Sequence, residues 1–193
     1  MSHLEGVALN EITAYREQIA GMIDMLDAQI AETPDDKLYQ RPGPSQNPVG
    51  FIYWHILRIW DLDVCLCTGK NPLKEGIWQR DDFSAKADYN PEGLGLRGLG
   101  MGVGYSDAEV DGVRIPRAVL ADYQAQLLAA TNAYLDATDD AAVRAERPSP
   151  LNPAQPMTSA MRLQPTVAHS YHHLGEIRFV KGTFGITDPT YPK

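Results

Sequence analysis

The chain has little cysteine and little positive charge. Its 193 residues include two cysteines, and 17 Lys and Arg stand against 25 Asp and Glu, which gives a net charge of −8. Cys65 and Cys67 lie two apart on a predicted helix and point to different sides, which disfavours a disulfide between them. Reduced thiols are typical of a cytoplasmic protein. The acidic balance, without any run of Lys or Arg, disfavours nucleic acid as a partner.

Long apolar runs are also missing. No stretch approaches the ~18 residues that a membrane span needs, and no basic amphipathic segment suits a membrane surface. Residues 1–6 lack the basic start and apolar core of a secretion signal. We therefore predict a cytoplasmic protein without membrane contact. The 44% hydrophobic content suits one domain with a sizeable core, over residues 1–193.

What the chain does contain is four amphipathic segments. In the first, residues 7–31, apolar residues recur three and four apart, which is typical of a helix with one buried face. The second helix has Asn47 as a plausible N-cap and Pro48 at its first position, and it ends near Thr68, before Gly69.

The third and fourth helices lie in the second half of the chain. The third is predicted over residues 116–137, with a proline in its first turn. The fourth begins either at Thr158, with a kink at Pro165, or afresh at Pro165, and it ends near Gly182. Four amphipathic helices without a convincing strand pattern predict an all-α four-helix bundle with long connecting loops.

The longest predicted loop, residues 70–115, carries six glycines between positions 93 and 104. A phosphate-binding loop needs a preceding strand and a following helix, and neither is predicted here. We therefore predict a long, partly mobile loop. Loops of this length often cover binding sites.

Histidines fall on the predicted inward faces of the second and fourth helices. On the second helix the predicted inward stripe consists of Ile52, His55, Ile59, Leu62 and Leu66. His55 thus lies on an apolar seam, where an unsatisfied polar group costs on the order of 1–3 kcal/mol. His169 and His173 are four apart and project from one face of the last helix. Three such imidazoles can hold one divalent cation and leave coordination positions open for water or substrate. The alternative is that all three are hydrogen-bonded polar residues of the core.

Other polar residues near these histidines allow several roles. Glu176 could be a fourth ligand, an acceptor for an imidazole N–H, a general base or a surface carboxylate. His172 lies off the inward face and could be a flanking contact or a substitute ligand. Arg58 and Asp61 are three apart and could pair on the helix surface. Of the five histidines, only His3 and His172 lie outside the proposed set of metal ligands.

Two motifs resemble those of the DinB-like proteins, the DinB/YfiT superfamily of metalloenzymes. Residues 47–58 are similar to the family's second-helix segment, which carries a ligand histidine. Residues 169–177 are similar to its closing His-x-x-His-His-x-Gly-Gln/Glu signature. The resemblance implies an up-down-down-up four-helix bundle, often dimeric, with His55, His169 and His173 as ligands. It also implies zinc or nickel, and a low-molecular-weight thiol as used by the related mycothiol-dependent maleylpyruvate isomerase.

These expectations together predict a divalent-metal-dependent enzyme that acts on a small molecule with a low-molecular-weight thiol, as an S-transferase or isomerase. Three imidazoles suit Zn, Ni and Fe alike. Glu176 or His172 would move a proton, Arg58 is the candidate contact for the cofactor, and the 70–115 loop would close over the substrate. The alternatives are a metal-dependent hydrolase and a non-catalytic protein with a structural or sensory ion. A homodimer is expected from the resemblance alone.

Overall fold

The computed structural model describes residues 10–188, and the regular structure within them is almost entirely helical. A 3-10 turn lies at Leu96–Gly98, and β1 (Arg147–Pro148) pairs antiparallel with β2 (Pro156–Met157). The helices are α1 (Glu11–Ala31), α2 (Asp35–Leu38), α3 (Val49–Cys67), α4 (Pro72–Glu75), α5 (Ile77–Arg80), α6 (Phe83–Ala87), α7 (Asp107–Gly112), α8 (Arg117–Asp136), α9 (Asp140–Arg144) and α10 (Ala160–Thr183).

The four long helices, α1, α3, α8 and α10, are the four that the sequence predicts. The predicted start of α1 at residue 7 lies outside the described residues. Pro48 and Pro116 each precede the first helical residue, one position earlier than predicted. No helix within residues 10–188 combines the length and the hydrophobicity that crossing a membrane requires.

Contacts between α1 and α10 show that these two helices run parallel. The Tyr171 hydroxyl donates to the carbonyl of Gln18 (3.5 Å), and further along both helices the Lys181 ammonium donates to the side chain of Gln29 (2.8 Å). Residue numbers therefore rise in the same direction along both helices.

The same reasoning shows that α3 and α8 are parallel. The Tyr53 hydroxyl donates to Gln124 (2.8 Å), and two turns later the Trp60 indole donates to the Thr131 hydroxyl (3.0 Å). Both pairs are buried, and they replace the hydrogen bonds to water that these polar groups lose on folding.

Helices α3 and α10 run antiparallel. Asn47, just before α3, contacts Glu176 near the end of α10, whereas Cys67 at the end of α3 contacts the carbonyl of Ser159 just before α10. With the two parallel pairs, this order gives the up-down-down-up four-helix bundle.

Helix α3 is the central element of the core, and it is buried on nearly every side. Trp54 and Leu57 have no exposed surface, whereas Ile59 and Leu62, two members of the predicted inward stripe, are only partly buried. The other three members of the stripe are buried as predicted, so the stripe is right in part. Residues outside it are also buried, because α3 packs against α8 and α10 and also against α4 and α5. A helix covered by several elements lacks a solvent face, and spacing of apolar residues then no longer marks its buried side.

The 70–115 segment contains four short helices, so the prediction of an irregular loop is wrong over much of its length. Helix α5 is fixed to α3 because the buried Asp61 carboxylate accepts hydrogen bonds from the backbone N–H groups of Ile77 (2.8 Å) and Trp78 (2.9 Å). The Trp78 ring is buried and stacks on Phe83, with ring centroids 5.8 Å apart. The segment therefore extends the hydrophobic core.

The last helix begins close to the first of its two predicted starts. Ala160 is its first residue, and Pro165 lies within the helix rather than at its beginning. Pro165 is exposed, so water can bond the backbone carbonyl one turn earlier, which the missing proline N–H leaves without a helical partner. The connection between α8 and α10 contains α9 and the two short strands.

Candidate metal centre

His55 projects from α3 into the interface with α10 and is held by the 70–115 segment. Its Nδ1 lies 2.5 Å from the carbonyl oxygen of Met101. A carbonyl only accepts, so this contact requires the proton on Nδ1 and leaves the Nε2 lone pair free. The ring also stacks on Phe51, with centroids 6.3 Å apart and an interplanar angle of 9°.

His169 and His173 face His55 from consecutive turns of α10. Their ring centroids lie 4.9 and 5.0 Å from that of His55 and 4.4 Å from each other. Each imidazole offers one nitrogen, and these nitrogens all lie within 4.8 Å of one another. The structure therefore brings the three predicted ligands together, and a single cation could reach all of them.

A short chain of hydrogen bonds fixes His173. Its Nδ1 lies 2.7 Å from Glu176 Oε2, and the other carboxylate oxygen accepts a longer bond of 3.4 Å from the Asn47 amide. With Nδ1 engaged, Nε2 is the nitrogen of His173 that remains for a ligand. The bond from His173 lowers the pKa of Glu176, which keeps the carboxylate ionised as an acceptor.

Two of the imidazoles are neutral at pH 7. Burial, with a smaller contribution from the nearby His173, lowers the pKa of His55 to about 4. Burial also lowers the pKa of His169 to about 3, with a further contribution from His55. A neutral imidazole keeps the nitrogen lone pair that binds a metal ion.

The hydrogen-bond pattern of His169 tests whether these residues fit a cation. Its Nε2 lies 3.1 Å from the Nε2 of His55, while its buried Nδ1 has no hydrogen-bond partner within residues 10–188. Because His55 carries its proton on Nδ1, an Nε2-to-Nε2 hydrogen bond requires the His169 proton on Nε2. Coordination of both Nε2 atoms would instead use both lone pairs, so the donor set fits a divalent cation.

His172 does not join the cluster. Its side chain is exposed, and its ring is nearly perpendicular to that of His173, with the centroids 5.3 Å apart. This position agrees with the flanking contact rather than with a substitute ligand. His3 lies outside the described residues.

Arg58 and Asp61 pair as predicted but in the core, so the prediction of a surface pair is wrong. Their charged atoms are 3.7 Å apart, and both side chains are at least 95% buried. The Arg58 guanidinium lies over the Trp78 ring at 5.1 Å, and its Nε donates to the carbonyl of Gly100 at 3.3 Å. Arg58 also lines a crevice of about 280 Å³ beside the 70–115 segment. The pair is buried because α5 covers this side of α3.

Three further residues of the centre were missed by the sequence reasoning. Met101 contributes a backbone carbonyl, which every residue has, so no side-chain pattern could reveal it. Gly102 lies against the His55 ring, and the dense glycines of this segment were the available signal. Asn47 was interpreted as a helix cap, although its amide reaches Glu176 instead.

These observations define a helical-bundle protein with a candidate three-histidine metal centre between two antiparallel helices. The chain belongs to the DinB superfamily, whose sequence profile matches residues 18–177. This confirms the resemblance on which the ligand assignment partly depends.

Solved structures show the same fold. A conserved protein from Enterococcus faecalis is 19% identical, with a TM-score of 0.72, and the match covers 92% of this chain and 99% of that one. A DinB-like protein from Bacillus cereus is 14% identical, with a TM-score of 0.58 and coverage of 92% and 95%. No curated protein matches the sequence significantly.

Proposed function

We propose that this protein binds a divalent metal ion through His55, His169 and His173. We further propose that it is an enzyme that uses an exogenous low-molecular-weight thiol to transfer a group to a small molecule or to isomerise it. One observation carries the proposal, namely the convergence of three imidazole nitrogens within 4.8 Å. Three imidazole donors leave coordination positions for a substrate or cofactor, as in catalytic rather than closed structural sites.

The residues around the ligands have separate tasks in this proposal. A bound divalent cation supplies Lewis acidity, which lowers the pKa of a coordinated thiol or water. Glu176 orients His173 through Nδ1, and the Met101 carbonyl orients His55. The three imidazoles suit zinc, nickel and iron, with zinc and nickel favoured by the family resemblance.

The protein's own cysteines are poor candidates for the nucleophile. Burial raises the pKa of Cys65 to about 12 and that of Cys67 to about 11. Both thiols therefore stay protonated at neutral pH, and a thiol attacks only as the thiolate. This supports a thiol supplied from outside the chain.

Proton transfer and cofactor contact are assigned to residues beside the cluster. His172 is exposed next to His173 and could exchange a proton with solvent, whereas Glu176 is already engaged by His173. Arg58 lines a crevice whose lining includes none of the three histidines. We assign it to a negatively charged group of the thiol or substrate, which would compete with Asp61 for the guanidinium. Because each of these assignments concerns turnover, activity assays must test them.

The first experiment measures bound metal in untagged protein by mass spectrometry. We expect about one ion per chain, and its loss in His55→Ala, His169→Ala and His173→Ala. His172→Ala is the matched control, because it removes an exposed imidazole one residue from a ligand and leaves the converging nitrogens intact. Wild-type protein that neither carries nor takes up an ion on titration would contradict the proposal.

A second experiment separates the proposed reaction from its alternatives. The metal-loaded protein is assayed against small electrophiles with and without low-molecular-weight thiols, and we expect turnover only with a thiol. Turnover of ester, amide or phosphate substrates in thiol-free buffer would instead indicate a hydrolase. Silence in both panels, together with a higher melting temperature on metal addition, would indicate a structural or sensory ion.

A further inference from the structure

The 98–104 segment contacts α3 at two adjacent backbone carbonyls. The Gly100 carbonyl accepts from Arg58 Nε at 3.3 Å, and the next carbonyl, that of Met101, accepts from His55 Nδ1 at 2.5 Å. Arg58 and His55 are three residues apart and therefore lie on the same side of α3. The segment is thus held along one line of the helix, directly behind a metal ligand.

Gly102 allows this close approach. A Cβ atom placed on Gly102 would lie 2.9 Å from His55 Nδ1 and 3.1 Å from the ring of Phe51, and the residue has a φ of +87°. A larger residue would meet the imidazole at the nitrogen that donates to Met101, and it would also be strained at this φ. Only glycine therefore fits at this position without displacing the segment or the ring.

Hydrogen bonds also join the 98–104 segment to the residues just before it. The Leu96 N–H donates to the Val103 carbonyl at 2.7 Å, and the Gly100 N–H donates to the Leu94 carbonyl at 3.0 Å. The Met101 side chain is 97% buried. These bonds place the Met101 carbonyl, so its position does not depend on His55 alone.

From this geometry we propose that the glycine-rich segment is a functional part of the metal centre, with Met101 as a positioning residue for His55. The Met101 carbonyl selects the His55 tautomer with the proton on Nδ1, and Nε2 is then free to coordinate. The inference rests on the proposed metal binding. It adds that metal affinity and the docking of the segment are coupled.

Coupling of this kind is reciprocal. A contact that favours the coordinating tautomer strengthens metal binding, so metal binding must favour the docked segment by the same factor. Hydrogen-bond partners behind metal-binding histidines typically change metal affinity by roughly 10- to 100-fold. We therefore expect an effect of that size in both directions.

The test compares Gly102→Ala with Gly93→Ala. Gly93 has a similar φ of +80° in the same glycine-rich region, but an added Cβ there meets nothing within 4 Å. Both variants carry the backbone strain of alanine at positive φ, and only Gly102→Ala disturbs His55. We expect zinc affinity to fall roughly 10- to 100-fold in Gly102→Ala and to stay near the wild-type value in Gly93→Ala.

Two further readouts separate positioning from a general loss of structure. Long-range ¹H–¹⁵N spectra of histidine-labelled, metal-free protein report the tautomer, and we expect the His55 proton on Nδ1 in wild type and Gly93→Ala but mixed tautomers in Gly102→Ala. A second measurement needs only the wild-type protein, in which zinc is expected to slow hydrogen exchange at the Leu96 and Gly100 amides. The Val143 amide in α9, which bonds to Asp139, serves as a remote reference.

The results distinguish this inference from the proposed function. Wild-type protein that takes up none of zinc, nickel and iron would overturn both, and if nickel or iron is the ion taken up, it replaces zinc in these measurements. Zinc bound with equal affinity by wild type and Gly102→Ala would overturn only the role of the segment. If Gly102→Ala does not fold, hydrogen exchange in the wild type decides, and unchanged Leu96 and Gly100 amides on zinc binding would overturn the inference.

Discussion

At the scale of single residues, Glu176 is the side chain whose removal most directly tests the support of a ligand. Its Oε2 accepts from His173 at 2.7 Å, so Glu176→Ala leaves the His173 ring free to rotate and its Nδ1 proton without an acceptor. We expect zinc affinity to fall by roughly 10- to 100-fold. Competition titration against a chromogenic chelator measures this change.

Two milder substitutions are controls for Glu176→Ala. Glu176→Gln keeps an acceptor oxygen and is expected to lose less affinity. Asn47→Ala removes only the longer bond of 3.4 Å to the carboxylate and is expected to lose least. Wild-type affinity in Glu176→Ala would mean that Glu176 is a surface carboxylate, one of the roles the sequence left open.

The ligands could be predicted at this scale because they violate a pattern. His55 interrupts an apolar seam, and His169 and His173 repeat at the helical spacing on an inward face. The Met101 carbonyl disturbs no sequence pattern, because it belongs to the backbone and lies 46 residues from His55 in the chain. Only the fold of the 98–104 segment brings it there.

At the scale of helices, a buried carboxylate links α3 to α10. Asp63 accepts from the Thr166 hydroxyl at 2.7 Å and lies 3.6 Å from Arg162, yet burial raises its pKa to about 6. The folded state therefore holds the Asp63 proton more tightly than the unfolded state. Its contribution to stability is fully present below the ordinary pKa of 3.8 and is lost as the pH rises through about 6.

The matched variant is Asp63→Asn, which keeps an acceptor for Thr166 but does not ionise. Between pH 4 and pH 7 we expect the free energy of unfolding of the wild type to fall by on the order of 3 kcal/mol relative to this variant. This value follows from a pKa shift of about two units. Urea denaturation of both proteins across this range measures it. A difference between the two that is constant with pH would contradict the raised pKa.

Helix α10 also presents an outer face with little charge. Between Met161 and Phe179 its most exposed residues include no Asp, Glu, Lys or Arg, although Arg162, Glu176 and Arg178 are partly exposed beside them. Phe179 is 64% exposed. The exposed residues of this face are Met161, Gln164, Pro165, Ala168, Tyr171, His172, Gly175 and Phe179.

This face is where we expect the predicted homodimer to form. Ala168→Glu would place a charge at its centre, and a buried unpaired charge opposes association. Ala125→Glu makes the same change at an exposed position of α8 and is the control. Sedimentation equilibrium is expected to show a dimer for wild type and Ala125→Glu, and a shift toward monomer for Ala168→Glu. Dimers of all three would place the interface elsewhere.

The long helices were predictable because each spans several turns of a regular apolar repeat. The helices of the 70–115 segment have four to six residues, too few to show a repeat. Helices α4 and α5 pack on α3, and Asp61 bonds to the first turn of α5. This packing also buries residues of α3 that lie outside the predicted stripe, so tertiary contacts decide much of the structure there.

At the scale of the whole molecule, metal binding is expected to raise thermal stability. A ligand present at about a thousandfold its Kd adds about 4 kcal/mol if it binds only the folded state. For a chain of 193 residues, that energy raises the melting temperature by roughly 8 to 16 °C. Calorimetry with and without zinc measures the shift.

The histidine variants provide the controls. His172→Ala is expected to show the full shift and His169→Ala none, although both remove an imidazole from α10. A chelator is expected to reverse the shift. Zinc that binds at one equivalent without raising the melting temperature would mean that the unfolded chain binds it as tightly, contrary to a site assembled by the fold.

The separation of the ligands along the chain affects how the protein is made. His55 and His169 are 114 residues apart, so at typical translation rates His169 is synthesised roughly 6 to 23 s after His55. In the finished protein α3 is covered on nearly every side. During that interval α10 is not yet complete, and for part of it α8 is missing as well. Ribosome-bound intermediates therefore expose a strongly apolar helix and cannot yet capture metal, which makes α3 the segment that a nascent-chain chaperone would recognise.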